Sequence, residues 1–182
     1  MATLEELRAK FQQDNTGDLV DRTHDRVFLL DVSTSMMGES MEYATAALNF
    51  FVRDGDGILV FGEEVRYVPR EKLGSTALPW GLTSMLPALR KAMTFRPIEI
   101  VLITDGGPNK GGGQLEVLEY VQMISGVIVN TIGIGEFCDQ SFLMKVAQAT
   151  GGEMQHIDTP DKLHHAVGLL CAPSIQLAEG GM

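Results

Sequence analysis

Cysteine is nearly missing from this chain. Cys138 and Cys171 are the only two in 182 residues, and neither belongs to a C-x-x-C or Cys/His spacing, which argues against a disulfide framework and a structural zinc site. Basic residues are scarce too. Against 24 Asp and Glu stand 14 Lys and Arg, for a net charge of −10. With no Lys/Arg cluster, such a surface repels phosphate backbones and anionic lipid, so neither nucleic acid nor membrane is an expected partner. No apolar stretch approaches the roughly 20 residues that span a bilayer. The opening Met1-Ala-Thr-Leu-Glu-Glu-Leu-Arg-Ala-Lys10 mixes charges at helical spacing, unlike an export signal or an anchor. A soluble, cytoplasmic protein in a reducing compartment is the expectation.

What is present is enough for a core. Apolar residues make up 45% and charged residues 21% of the chain, the composition of one ordinary globular domain. Leu4, Leu7 and Phe11 predict a short amphipathic helix over 3–12, so residues 1–25 read as a helical extension, 26–172 as the domain and 173–182 as a flexible tail. Arg26 to Val32, Ile98 to Ile103 and Val127 to Ile134 are continuous apolar runs of strand length, typical of a parallel sheet buried on both faces. Ile58–Phe61 and Val65–Val68, separated by Gly62-Glu63-Glu64, predict a hairpin and hence one antiparallel edge strand.

Helices are expected over 39–53, from a cap at Thr83 to about Phe95, and over 114–124, 139–150 and 160–170, with a short strand at 153–157 and a long loop over 69–82. Strands alternating with helices predict an α/β fold, a three-layer, doubly wound and mostly parallel sheet of Rossmann-like type.

Ligands of such sheets sit beyond the carboxyl ends of the strands. There the sequence places Asp31, Ser33 and Ser35 after the first strand, Thr83 before a helix and Asp105 after the strand at Ile98. Two carboxylates and three hydroxyls form a set of hard oxygen donors, suited to Mg²⁺, Mn²⁺ or Ca²⁺ and poorly suited to zinc or copper. The alternate spacing of Asp31, Ser33 and Ser35 lets a loop leaving a strand turn every second side chain toward one ion. With so few carboxylates, the ion is left short of ligands and able to accept an oxygen from a partner.

Asp31-Val-Ser33-Thr-Ser35-Met36, Gly81-Leu-Thr83 and Ile103-Thr-Asp105-Gly-Gly-Pro-Asn109 resemble the metal-ion-dependent adhesion site (MIDAS) of von Willebrand factor type A (VWA) domains. The similarity extends over the order of elements from about Arg26 to Leu170, including Ile132-Gly-Ile-Gly135 and Ala149-Thr-Gly-Gly152. The resemblance implies that Asp31, Ser33 and Ser35 are metal ligands, that direct contact by Thr83 depends on loop position, and that Asp105 acts directly or through water. It also implies a protein partner that completes the shell with an Asp or Glu, and it points to AAA+ ATPases or stress-response assemblies as partners. Met37 and Trp80, close in sequence to the ligands, are candidate partner contacts.

Other motifs carry less. Gly133-Ile-Gly135 lacks the third glycine of a dinucleotide fingerprint, because Cys138 stands in its place. Asp54-Gly-Asp56-Gly lacks the twelfth-position Glu of a calcium loop. An aspartyl phosphate enzyme usually carries a second carboxylate two residues after its nucleophile, where this chain has Ser33. The four histidines read as structural or surface residues. A metal-dependent hydrolase or phosphoryl-transfer enzyme built on the same oxygen site is the alternative; it needs a general base or charge-stabilising group, for which Glu39 and Lys110 are the nearest candidates.

Overall fold

The computed structural model describes residues 24–171. The helix expected at 3–12 and the tail expected at 173–182 lie outside the described residues. The elements run β1 (Arg26–Asp31), α1 (Glu39–Phe51), β2 (Gly57–Phe61), β3 (Val65–Tyr67), a short α2 (Leu73–Thr76), α3 (Met85–Met93), β4 (Glu99–Thr104), α4 (Gln114–Met123), β5 (Ile128–Ile134), α5 (Gln140–Gln148), β6 (Met154–Ile157) and α6 (Leu163–Cys171). The strands form one sheet in the order β3-β2-β1-β4-β5-β6. All neighbours are parallel except β2 and β3, which pair antiparallel.

The three layers follow from the two-residue period of the strands. In β1, Phe28 and Leu30 face one side, where they join Ala44 and Leu48 of α1 and Ala166 and Val167 of α6. Val27 and Leu29 face the other, against Leu86 and Leu89 of α3, Val117 and Val121 of α4 and Leu143 and Val146 of α5. Both faces of β1 are therefore covered, which is why its sequence is an unbroken apolar run. Each edge strand is short and less buried: β3 has three residues and β6 four.

Two local expectations need correction. The segment 69–82 contains helical turns, a 3₁₀ turn at Arg70–Lys72 followed by α2; Pro69, Gly74, Pro79 and Gly81 had marked it as loop throughout. Thr83 does not cap α3, because the residue at the cap position is Ser84. The backbone of Thr83 is committed elsewhere: its N–H donates to Asn109 Oδ1 at 2.7 Å, and its carbonyl accepts from the N–H groups of Asn109 and Lys110.

The order of strands reverses between β1 and β4, so their crossover connections leave on opposite faces and open a crevice at their carboxyl ends. The amino ends form the opposite pole. There His24 packs against Tyr67 and Phe95 and bonds to the carbonyl of Gly55. α6 ends at the same pole, where Cys171 lies within electrostatic range of Arg26 and Glu99.

Candidate functional site

At the β1/β4 switch, hydrogen bonds bring together four of the five candidate residues, Asp31, Ser33, Ser35 and Asp105. Asp31 is the last residue of β1 and is fully buried. Its Oδ2 accepts from Thr104 Oγ1 at 2.5 Å and its Oδ1 from the Ser33 N–H at 2.8 Å. Ser33 Oγ lies 3.1 Å from Ser35 Oγ, and Ser35 Oγ donates to Asp105 Oδ1 at 2.8 Å. A continuous chain of polar groups thus links Asp31, Ser33, Ser35 and Asp105 across the mouth of the crevice. Thr83 is buried and shares no hydrogen bond with the other four among the described residues; its backbone partners are Asn109 and Lys110.

Two further loops hold this arrangement. The segment after α2 clasps the loop after β1: Trp80 N–H donates to the Val32 carbonyl at 2.7 Å, Thr34 N–H to the Gly81 carbonyl at 3.1 Å, and Gly81 N–H to Thr34 Oγ1 at 3.1 Å. Gly81 has φ +80°, a conformation that favours glycine. A Cβ on Gly62 would fall 2.7 Å from the Trp80 carbonyl oxygen, so the end of β2 also requires glycine. The loop after β4 supplies both Asp105 and Asn109, and Asn109 fixes Thr83 as described above.

The electrostatics favour a cation. Burial pushes the Asp31 carboxyl up from 3.8 to about 6, despite hydrogen bonds from Thr104 and Ser33 that favour its charged form; the nearby Asp105 pushes in the same direction as burial. Burial also raises Asp105, opposed by the bond from Ser35. Among the described residues, no ion pair reaches either carboxylate. Two acids, one wholly inside the protein, therefore converge without a counter-charge. No group of three or more His, Cys, Asp or Glu side chains converges among the described residues, so the donor set here is two carboxylates with hydroxyls. The residues fit a divalent cation with a preference for oxygen ligands.

Two residues that hold the site went unassigned by sequence reasoning. Thr104 looks like the end of an apolar strand, yet its hydroxyl fixes Asp31. Asn109 looks like a turn residue, yet its side chain reaches 26 positions back to Thr83. Their only sequence signal was membership of the segment Ile103 to Asn109. Of the groups weighed for catalysis, Lys110 pairs with Glu63 at 3.3 Å, and Glu39 stands at the start of α1. Neither hydrogen-bonds to the candidate ligands among the described residues. Met37 and Trp80 are 65% and 67% exposed, whereas Met36, Met41 and Met85 are buried in the core.

Comparison with known proteins agrees with this architecture. A family model described as "von Willebrand factor type A domain" matches residues 25–71 and 69–156. A von Willebrand factor type A protein from Catenulispora acidiphila superposes with a TM-score of 0.73 at 22% identity, over 82% of this chain and 42% of that one. Proximal thread matrix protein 1 from the mussel byssus, in a structure with a zinc-occupied MIDAS motif, gives 0.61 at 20% identity, over 82% of this chain and 47% of its own. The SpRpn10 VWA domain gives 0.62 at 14% identity, over 81% of this chain and 95% of that domain. The chain thus spans less than half the length of the first two. No curated protein matches the sequence.

Proposed function

The chain belongs to the von Willebrand factor type A domain family, a family of protein-interaction modules, and from that premise we propose that it binds a protein partner through a divalent cation. Asp31, Ser33, Ser35, Thr83 and Asp105 would hold the cation, with Mg²⁺ the leading choice and Mn²⁺ or Ca²⁺ as substitutes. The zinc-occupied MIDAS of the mussel protein adds Zn²⁺ to the ions to be tried, although oxygen donors alone favour it less. The single observation that carries the reading is the buried, uncompensated carboxylate of Asp31 joined through Ser33 and Ser35 to Asp105.

A bound divalent ion would supply positive charge able to accept a carboxylate oxygen from the partner. The protein's own residues prepare the place. Thr104 and the Ser33 N–H fix both oxygens of Asp31, so that ordering this carboxylate adds no cost on binding. Ser35 bridges the two acidic loops. Asn109 fixes the buried backbone of Thr83, and the clasp of Trp80 and Gly81 on Val32 and Thr34 keeps the first loop from opening. Among the described residues no His or Lys and no third carboxylate hydrogen-bonds to the set, and binding without turnover is the reading we propose. An adaptor in an intracellular complex is the role proposed, with an AAA+ ATPase or a stress-response assembly as the partner class and the cytoplasm as the setting. Among the described residues no helix is long and apolar enough to cross a membrane.

Calorimetric titration of Mg²⁺, Mn²⁺, Ca²⁺ and Zn²⁺ into wild type and Asp31→Ala tests the site. Wild type should bind at least one of the first three, and the variant none. A wild type that takes up no divalent ion would end the proposal.

A further inference from the structure

At the pole opposite the acidic crevice, apolar surface flanks the point where the chain enters the sheet. His24 is the first described residue. Its ring stacks on Tyr67 with 5.9 Å between centroids and packs on Phe95 at 5.1 Å. On the other side, the Asp25 carbonyl accepts the N–H groups of Ile98 and Glu99, and the Ile98 carbonyl accepts the Ile128 N–H. Tyr67, Ile98 and Ile128 remain 43%, 63% and 43% exposed among the described residues, so the floor of the sheet presents large apolar side chains on both sides of the entering strand. β3, which carries Tyr67, and β4, which follows Ile98, are three strand spacings apart in the order β3-β2-β1-β4, about 14 Å.

We propose that the chain's own residues 3–12 lie as a helix across this floor, with Leu4, Leu7 and Phe11 against Tyr67 and Ile98. The segment lies outside the described residues; its length, reach and pattern choose it as the occupant. Ten residues of helix measure about 15 Å, enough to bridge from β3 to the base of β4. The 11 residues from Gln13 to Thr23 span at most about 40 Å, so the segment can fold back from His24 over either side of the floor. A helix this short is marginal in water and takes its stability from burying its apolar face; the apolar surface at its point of attachment is this one. The tether holds the two faces at an effective concentration of roughly millimolar, which a free partner or a second copy must exceed. Charge is mixed on both sides, with Glu5, Glu6, Arg8 and Lys10 on the segment and exposed Asp25, Asp54 and Arg96 around the floor, so no block of one sign opposes docking. The inference does not depend on the metal reading: the floor is at the far end of the sheet from Asp31, and a segment docked there leaves the oxygen site open.

Amide hydrogen exchange of the full chain tests this, with a synthetic peptide of residues 1–23 as the undocked reference. The first four N–H groups of a helix have no intrahelical acceptor, so the readout is residues 7–12. These should exchange at least about tenfold more slowly in the full chain than in the peptide. Ile98→Asp should return them to the peptide rates while exchange in β1 and β4 stays as in wild type; should it disturb those strands, Tyr67→Asp takes its place. Leu7→Asp, which leaves the sequence of the sheet unchanged, should abolish the slowing as well. Phe50→Asp should not, although Phe50 is 69% exposed and forms a second aromatic cluster with Phe51 and His164. Wild-type rates equal to those of the peptide would overturn the proposal. Slowing that survives both Ile98→Asp and Tyr67→Asp would overturn it too, and its loss in Phe50→Asp would place the segment on α1. Slowing that fades on dilution would make the occupant a second copy and overturn it equally.

Discussion

Removing the charge of Asp31 should make the metal-free protein more stable. The carboxyl is fully buried, has no cationic partner among the described residues, and is raised from 3.8 to about 6 chiefly by desolvation. At neutral pH the folded state therefore keeps ionised a group that resists ionisation there. At 1.36 kcal/mol per unit, that difference amounts to about 3 kcal/mol of destabilisation. Asp31→Asn retains the shape and the acceptor for the Ser33 N–H. Its new amide N–H₂ faces Thr104 Oγ1, which can turn its own proton to the Gly106 carbonyl, 3.2 Å away. Allowing for imperfect replacement, the variant should gain about 1–3 kcal/mol, a rise in Tm of roughly 2–10 °C for a domain of this size.

The assay is thermal unfolding followed by circular dichroism in EDTA across a pH series. The sign is fixed by the raised value in the folded state. The penalty is fully present above about 6, shrinks as pH falls through it, and vanishes toward 3.8, so the two melting curves converge on acidification. With a divalent ion at roughly a hundredfold over its Kd, wild type should regain about 2.7 kcal/mol while the variant gains nothing. A variant no more stable than wild type in EDTA, or a gap that stays constant with pH, would refute the reasoning.

Three other substitutions have defined consequences. Asn109→Ala leaves the buried Thr83 N–H without its acceptor, so chemical denaturation should show a loss of about 1–3 kcal/mol, and calorimetry should show weaker uptake of the ion although Asp31 and Thr104 are untouched. Gly81→Ala places a side chain at φ +80° and a Cβ 2.2 Å from Glu63 Cγ; a cost of about 1–2 kcal/mol and a loosened Thr34 clasp should appear together as a lower Tm and faster hydrogen exchange at Thr34 and Gly81. Asp139 accepts the Phe142 N–H at the start of α5 and is held below the ordinary carboxylate range, by that bond first and by Gln114 second. Its contribution is present above the ordinary carboxylate value and is lost as pH falls through the lowered one. Asp139→Ala should thus cost about 1 kcal/mol at neutral pH and nothing in strong acid, as read from Tm against pH.

The fold was largely legible because its signals are local. The runs in β1, β4 and β5 are apolar at every position since both faces of the sheet are covered, and Gly62-Glu63-Glu64 is too short to be anything but a turn between antiparallel strands. Legibility failed where a distant group decided a local conformation. Thr83 has the residue type and position of a helix cap, but Asn109 claims its N–H across 26 residues. Thr104 is indistinguishable from a strand residue until the parallel pairing of β1 with β4 sets it against the Asp31 carboxylate. Around the candidate site, residue types and order were readable; the way Thr104, Asn109, Trp80 and Gly81 brace the loops depends on tertiary contacts that no spacing encodes. Likewise, Met36 and Met37 look equivalent as a pair, and only the turn at Thr34–Met36 sends the first into the core and the second outward.

His24 and Cys171 both lie at the base of the sheet, away from the crevice. A tether attached at either residue holds the domain by its foot, at the pole opposite the acidic loops. An attachment made at His24 or Cys171 themselves would sit at the pole opposite Asp31 and Asp105, with the layered core of residues 24–171 as a rigid spacer between anchor and catch.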